Sequence, residues 1–179
     1  MNTDTKILSR VLAERIKPLL NKLISPEQLA FVAGRQMVEG NRLIEYLIEY
    51  SISTGLRGLI VAIDFKKAFD SVSHEYLFDL LTNFNIPEYY IQAVKTLMQD
   101  GQSCVNNDGA ITENFPLGRS CRQGDPLAPY LFILAIEPLL RRLKSELAGV
   151  QGPTDRVVLS AYADDLTLFV RSETDLQRA

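Results

Sequence analysis

Three aspartates occupy positions where a carboxylate is costly unless it has a chemical task. Asp64 follows directly after the apolar run 59–63, and the pair Asp164-Asp165 joins two further apolar segments, 157–161 and 166–170. Adjacent carboxylates repel one another unless a cation lies between them. Carboxylate oxygens suit Mg²⁺, which keeps water and phosphate oxygens in its remaining coordination positions. Two such ions about 4 Å apart can activate a hydroxyl and stabilise an in-line displacement at phosphorus.

The bland alternative is that Asp164-Asp165 forms an ordinary solvated hairpin turn and that Asp64 is a plain strand-end acid. Tight two-residue hairpins usually contain Asn-Gly or Asp-Gly, because glycine tolerates a positive φ. The segment Tyr162–Asp165 contains no glycine. Turn formation alone therefore does not explain its composition, which favours a chemical role.

Apolar periodicity predicts the elements that must position the first acid. Leucine, isoleucine and valine recur at helical spacing over 8–23 and again over 43–48, where the predicted helix ends at Gly55 to Gly58. The continuous apolar run 59–63 predicts a strand that is buried on both faces and that ends at Asp64.

Capping and turn residues predict the elements that follow. Ser73 and Pro87 are expected to open helices, and Asn107-Asp108-Gly109 predicts a hairpin within 102–117. Asp125-Pro126 combines a carboxylate N-cap with proline at the first helical position, which predicts another helix. Helices followed by strands mixed with helices indicate an α+β fold with helices on one face of its sheet.

Composition excludes several classes of protein. The chain has 179 residues, of which 46% are hydrophobic and 23% charged, and this is typical of a globular domain. Two cysteines and one histidine are too few for a structural zinc site. A net charge of −3 argues against strong nucleic-acid binding by the chain alone. With no long apolar run and no signal-peptide pattern, we expect an intracellular protein and no membrane partner.

Four segments, taken in chain order, form a recognisable set. They are Leu19–Arg35, which ends in Pro26–Arg35, then Ala62–Val72, Arg122–Pro129 and the YADD motif Tyr162-Ala163-Asp164-Asp165. In this order and at these gaps they resemble the reverse transcriptase domain of non-LTR (LINE-type) retrotransposons. The resemblance extends over essentially the whole chain.

The resemblance implies an RNA-directed DNA polymerase that transfers a nucleotide from a dNTP to a primer 3′-hydroxyl. It implies a palm-like antiparallel sheet over about 58–179 and N-terminal fingers-side helices over about 1–57. The expected cofactor is Mg²⁺ as two ions, with Mn²⁺ as a substitute. The expected partners are an RNA template, a DNA primer and a dNTP.

The same resemblance assigns roles to individual residues. Asp64 and Asp164 correspond to the acids that hold both ions, and Asp165 to a more loosely engaged third. Phe69 corresponds to a bulky gate that excludes a ribose 2′-hydroxyl, although an aromatic side chain here is by itself more typical of a core.

Five further residues are candidates for contacts with the nucleotide or the template. Gln123-Gly124 corresponds to an element that touches the incoming nucleotide, where glycine lets the backbone come close. Arg122 and Arg35 correspond to basic residues near the triphosphate or template, although either alone is more typical of a solvated surface. Phe65 is expected to line the nucleotide pocket, and a buried strand residue is an equal alternative.

The chain ends soon after Val170, before the thumb of such polymerases. We therefore expect the rest of a parent polyprotein, including thumb and endonuclease, to act as its partner, and we expect the fragment alone to be inactive. Two alternatives stay open: a non-catalytic palm remnant that acts as an interaction module, and a reverse transcriptase of the group II intron or retron type.

Overall fold

Two long helices dominate the first third of the chain. The computed structural model describes residues 3–98, 101–121 and 124–177. Helix α1 spans Thr3–Leu23 and helix α2 spans Met37–Thr54. Gly55 ends α2 with a φ of 70° and donates its N–H to the carbonyl oxygen of Ser51 at 2.9 Å. Both predicted helices are therefore confirmed, as is the glycine stop.

The described residues form two compact units. One contains residues from 1–16 and 67–135, and the other contains residues from 17–66 and 136–179. Both mix helices with antiparallel strand pairs, and the predicted α+β class is confirmed. No helix within the described ranges is long and apolar enough to cross a membrane.

The first unit is built around short helices. These are α3 (Ala68–Ser71), α4 (His74–Asn83) and α5 (Glu88–Met98). Ser73 caps α4 as predicted, because its hydroxyl accepts the N–H of Tyr76 at 3.5 Å. The buried faces of these helices carry the leucine, isoleucine and valine residues that set the helical period. Among them are Leu77, Leu81, Ile91 and Val94.

A nested hairpin follows in the same unit. Strands β3 (Asn106–Asn107) and β4 (Ala110–Ile111) pair around Asp108-Gly109, inside the pair of β2 (Gln102–Ser103) with β5 (Phe115–Pro116). Asp108 and Gly109 have φ values of 50° and 90°. Positive φ at both turn positions is the geometry that selects Asp-Gly, so the predicted hairpin is confirmed.

The helix predicted at Asp125-Pro126 begins three residues after the aspartate. Helix α6 spans Ala128–Glu146. The Oδ1 atom of Asp125 accepts the N–H of Leu127 at 2.9 Å and also the hydroxyl of Ser9. Asp125 therefore satisfies an amide of the turn that precedes the helix, as its residue type predicts.

The second unit contains a three-stranded antiparallel sheet in the order β1-β9-β8. The strands are β1 (Leu59–Asp64), β8 (Leu159–Tyr162) and β9 (Asp165–Val170). The short pair of β6 (Val150–Gln151) with β7 (Arg156–Val157) and the four-residue helix α7 (Glu173–Leu176) complete this unit. Strands β8 and β9 are joined by only two residues, which places the YADD motif at one end of the sheet.

The prediction that the strand at 59–63 is buried on both faces is wrong. Leu59 and Ile60 are 40% and 46% exposed. Strand β1 is an edge strand within the described sheet, with β9 on one side only. An apolar run indicates that a strand can be buried, but its position in the sheet decides whether it is.

Candidate active site

The sheet brings Asp64 and Asp165 directly opposite each other. In the register of β1 and β9, Asp64 pairs with Asp165, and the pairing runs without a bulge to Leu59 opposite Val170. Residues opposite one another in an antiparallel pair point to the same face, with Cα atoms roughly 5 Å apart. Like charges in such positions destabilise a sheet. A cation bound between the two carboxylates would offset that repulsion.

Asp164 lies in the turn beside this pair. Tyr162 pairs with Asp165, so Ala163 and Asp164 form a two-residue hairpin turn. Ala163 has a φ of 55°, the left-handed region that costs a residue with a Cβ roughly 1–2 kcal/mol. Strained backbone of this kind persists where the surrounding structure holds it, and it clusters at functional sites. The turn therefore contains a strained residue, Ala163, at a position where glycine is usual.

The three carboxylates are accessible. Asp64 and Asp165 are exposed and Asp164 is half-buried. None of them forms a salt bridge with another residue of the described ranges. Within those ranges, no group of three acidic, histidine or cysteine side chains lies close enough together to hold a metal ion. Carboxylate oxygens are the donor type that Mg²⁺ prefers, and the ion keeps positions for water and for phosphate oxygens.

A buried glutamine holds the strained turn. Gln28 is fully buried, and its Oε1 atom accepts the N–H of Ala163 at 2.9 Å and that of Ala30 at 3.0 Å. Its Nε2 atom donates to the carbonyl oxygen of Ala163 at 3.3 Å. Both main-chain polar groups of Ala163 are therefore bonded to one side chain.

The loop that carries Gln28 is itself anchored by two charged side chains. The guanidinium of Arg35 donates to the carbonyl oxygens of Ile24 at 3.0 Å, Ser25 at 2.5 Å and Gln28 at 2.7 Å. Buried Glu137 accepts the N–H of Ser25 at 3.0 Å. The guanidinium of Arg35 is thus occupied by its own loop, and its predicted contact with a nucleotide stays a prediction.

The remaining candidates divide between the two units and the residues outside them. In the second unit, Phe65 follows β1 and is half-buried. In the first unit, the ring of Phe69 stacks on that of Phe132 with centroids 4.3 Å apart. Gly124 is exposed with a φ of 80°, which favours glycine. Arg122 and Gln123 lie outside the described residues.

The main chain at Phe69 is hydrogen-bonded to that of Cys121, whose thiol is buried. The N–H of Cys121 donates to the carbonyl oxygen of Phe69 at 2.7 Å. Burial, with a smaller contribution from the negative charge of Asp125, raises the pKa of the Cys121 thiol to about 12. Cys121 therefore stays neutral as part of the core, in keeping with its residue type.

Gln28 is the site residue that the sequence reasoning missed. It lies inside the segment Pro26–Arg35, between Pro26 and the apolar residues Leu29 and Ala30. A polar side chain in such a setting must find hydrogen-bond partners when it is buried. That rule could have marked Gln28 as bonded, but its partner 135 positions away has no local signal.

Comparison with known proteins identifies the family. Residues 1–179 match the family described as reverse transcriptase (RNA-dependent DNA polymerase). The chain is 36% identical over 181 residues to the transposon TX1 uncharacterized 149 kDa protein of Xenopus laevis, covering 100% of the chain and 14% of that protein. It is 32% identical over 170 residues to the Pol polyprotein of the type-2 retrotransposable element R2DM of Drosophila melanogaster, covering 95% and 16%.

Solved structures give the same fold. Telomerase from Candida tropicalis, in complex with a TWJ fragment of telomeric RNA, matches 95% of the chain and 29% of its own length, with a TM-score of 0.64 and 12% identity. Telomerase from Candida albicans, with the corresponding RNA fragment, matches 96% of the chain and 31% of its own length, with a TM-score of 0.61 and 9% identity. The predicted polymerase fold is confirmed, as is the resemblance to non-LTR retrotransposons. The chain therefore belongs to the reverse transcriptase (RNA-dependent DNA polymerase) family.

Proposed function

We propose that the chain forms the nucleotidyl-transfer centre of a retrotransposon polymerase that copies an RNA template onto a DNA primer. The observation that carries the proposal is the register of β1 and β9, in which Asp64 lies opposite Asp165 and beside the Asp164 turn. The chain spans only 14% and 16% of the first two curated relatives. The proposed activity is therefore that of the whole protein.

In the proposed reaction the primer 3′-oxygen forms a bond to the α-phosphorus of the dNTP. The bond from that phosphorus to the pyrophosphate oxygen breaks, and the hydroxyl proton passes to water. Reverse transcriptases generally use divalent metal ions. We propose that Asp64, Asp164 and Asp165 hold two Mg²⁺ ions, which supply charge neutralisation to the phosphates when bound. The carboxylates are suited to this because other described side chains leave them unpaired.

The nucleotide-binding residues belong to the same proposal. Phe69 would exclude a ribose 2′-hydroxyl, and its stacking on Phe132 supports this because a packed ring cannot easily swing away. The other proposed nucleotide contacts are Phe65, Arg35, Arg122, Gln123 and Gly124. A template RNA, a primer and the remainder of the polyprotein are the proposed partners.

The test is primer extension by the full-length protein that carries this chain. Asp164→Asn removes one charge and keeps the size of the side chain. We expect it to lower the extension rate at least about 1,000-fold, because neutralisation of the developing charge is the main contribution to such catalysis. Extension by the unaltered protein should also require Mg²⁺ or Mn²⁺ and should stop with a chelator.

Asp108→Asn is the matched control, because Asp108, like Asp164, lies in a two-residue hairpin turn. It should extend primers at the normal rate. Extension by Asp164→Asn at that same rate would exclude the proposed site. If the unaltered protein binds dNTP with Mg²⁺ but never extends a primer, the chain is a non-catalytic interaction module instead.

A further inference from the structure

We propose that Gln28 is a positioning residue for the carboxylates of the YADD turn, an inference that rests on the proposed function. Its side-chain amide bonds both the N–H and the carbonyl oxygen of Ala163. Ala163 directly precedes Asp164, so whatever fixes its peptide groups fixes the direction in which Asp164 and Asp165 leave the turn. Gln28 touches no reacting atom in this proposal and acts through the backbone.

The main chain around Gln28 brings the amide to this position. The N–H of Leu29 donates to the carbonyl oxygen of Ala161 at 2.8 Å, and the N–H of Ala161 donates to that of Glu27 at 2.9 Å. Residues 27–29 thus pair with β8 in parallel on the side away from β9. The sheet continues past β8 through this segment, and the Gln28 side chain extends the bonding to the turn itself.

Side-chain bonding to Ala163 offsets the backbone strain of the turn. Ala163 adopts a φ of 55° without being glycine. The two-residue turn between β3 and β4 uses Asp108-Gly109 at this point, a pair that adopts positive φ readily. At the YADD turn the strained residue is instead hydrogen-bonded by the distant side chain of Gln28.

The loop that carries Gln28 is also held by hydrogen bonds of its own, which limit how far Gln28 can move with the turn. Arg35 donates to the carbonyl oxygen of Gln28, and to those of Ile24 and Ser25. Glu137 accepts the N–H of Ser25. The amide is therefore presented by a loop with its own fixed conformation, as expected of a group that orients metal ligands.

The test replaces the amide and measures metal affinity separately from catalysis. Gln28→Met keeps the size and removes all three hydrogen bonds, and Gln28→Asn keeps the amide but shortens its reach. Mn²⁺ is titrated into the 179-residue chain and detected by electron paramagnetic resonance. Partners that orient metal ligands typically contribute 10- to 100-fold in affinity or rate. We expect Mn²⁺ half-saturation to rise about 10-fold or more in Gln28→Met and by less in Gln28→Asn.

Extension kinetics in the full-length protein give a second readout. We expect kcat to fall by a factor similar to the loss of Mn²⁺ affinity, while KM for the dNTP changes less than about twofold. Asp175→Ala is the stability control: Asp175 is buried in the same unit and accepts the N–H groups of Ala148 and Arg171. It should lower the melting temperature without changing Mn²⁺ affinity.

Three results would overturn the inference. The first is a folded Gln28 variant with Mn²⁺ affinity and kcat within twofold of the unaltered protein. The second is an equal loss of Mn²⁺ affinity in Asp175→Ala, which would mean that any destabilisation has this effect. The third needs no variant: the Ala163 amide should resist hydrogen exchange as the strand amides do, and rapid exchange would contradict the bond to Gln28.

The experiments distinguish a failure of the proposed function from a failure of the role proposed for Gln28. If Asp164→Asn keeps both Mn²⁺ binding and extension, the site assignment is wrong. If Asp164→Asn abolishes both and the Gln28 variants change neither, only the role of Gln28 is wrong.

Discussion

Single side chains at the YADD end of the sheet differ in what they are free to do. Asp64 and Asp165 are exposed and are left unpaired by the other described side chains. Arg35 donates to three carbonyl oxygens of its own loop. Carboxylates without partners can take up a cation, whereas a guanidinium already bonded to three carbonyls contributes first to loop stability.

Arg35 should therefore affect stability more than nucleotide affinity. We expect Arg35→Met to lower the free energy of unfolding by about 2–3 kcal/mol, because several bonds to a charged donor are lost. Arg35→Lys should recover less than half, since an ammonium lacks the planar fork. Urea denaturation measures both, with exposed Arg42→Met as the control. If Arg35→Met has normal stability but a raised KM for dNTP, Arg35 contacts the nucleotide, as the sequence predicted.

The two cysteines should react very differently with a thiol reagent. Cys104 is exposed and Cys121 is buried. At pH 8 we expect alkylation of Cys104 alone in the folded chain and of both thiols in urea, as counted by mass spectrometry. Modification of both thiols in the folded chain would show that Cys121 is accessible.

The raised pKa of Cys121 also predicts a pH dependence of stability. Between pH 9 and about 12 the unfolded thiol loses a proton that the folded one keeps, because burial raises its folded pKa to about 12. The contribution of Cys121 is therefore fully present below pH 9 and decreases as the pH rises. Urea denaturation at pH 7.5 and pH 10 should show a larger drop in stability for the unaltered chain than for Cys121→Ala.

Among the described elements, the β3–β4 and β8–β9 turns reach positive φ in different ways. Strands β3 and β4 are joined by Asp108-Gly109, whose own chemistry suits the turn. Strands β8 and β9 are joined by Ala163-Asp164, and the distant Gln28 bonds the strained residue. One turn is encoded locally and the other depends on tertiary contact.

Gly55 at the end of α2 tests whether a single residue type determines a positive φ without tertiary contact. Gly55 has a φ of 70°, and Gly118 has no positive φ and open space where a Cβ would lie. We expect Gly55→Ala to cost about 1 kcal/mol, since a Cβ is unfavourable in the left-handed region. Gly118→Ala should change stability by less than about 0.5 kcal/mol. Equal effects in thermal denaturation would contradict this account of the α2 end.

For the whole molecule, the net charge bears on nucleic-acid binding by the chain alone. Its 22 acidic residues outnumber 19 basic ones. The chain spans 14% and 16% of the first two curated relatives. Because affinity for nucleic acids comes largely from basic groups that contact phosphates, we propose that other parts of the polyprotein supply most of that surface.

Nucleic-acid binding by the chain alone should accordingly be weak. We expect a Kd of roughly 10⁻⁵ M or higher for a primer–template duplex at physiological salt. Fluorescence anisotropy measures this value, and Mg²⁺ should tighten binding in the unaltered chain but not in an Asp64→Asn, Asp164→Asn double variant. Nanomolar binding would show that the chain alone contains a high-affinity site for the duplex.

Local sequence was sufficient for the elements whose geometry depends on near neighbours. The helical stripes, the Ser73 cap, the Gly55 stop and the Asp108-Gly109 hairpin all follow from residues within a few positions of one another. The strand that ends at Asp64 follows in the same way, from an apolar run and the acid that stops it. The motifs in their order also identified the family.

Long-range packing alone produced the arrangement on which the chemistry depends. Asp64 and Asp165 become neighbours only when β1 and β9 pair in one register, and Gln28 reaches Ala163 only because its segment pairs with β8. The exposure of Leu59 and Ile60 likewise follows from the place of β1 at the sheet edge. Hydrogen bonds between residues a hundred positions apart leave no periodic trace along the chain, so only the folded structure specifies them.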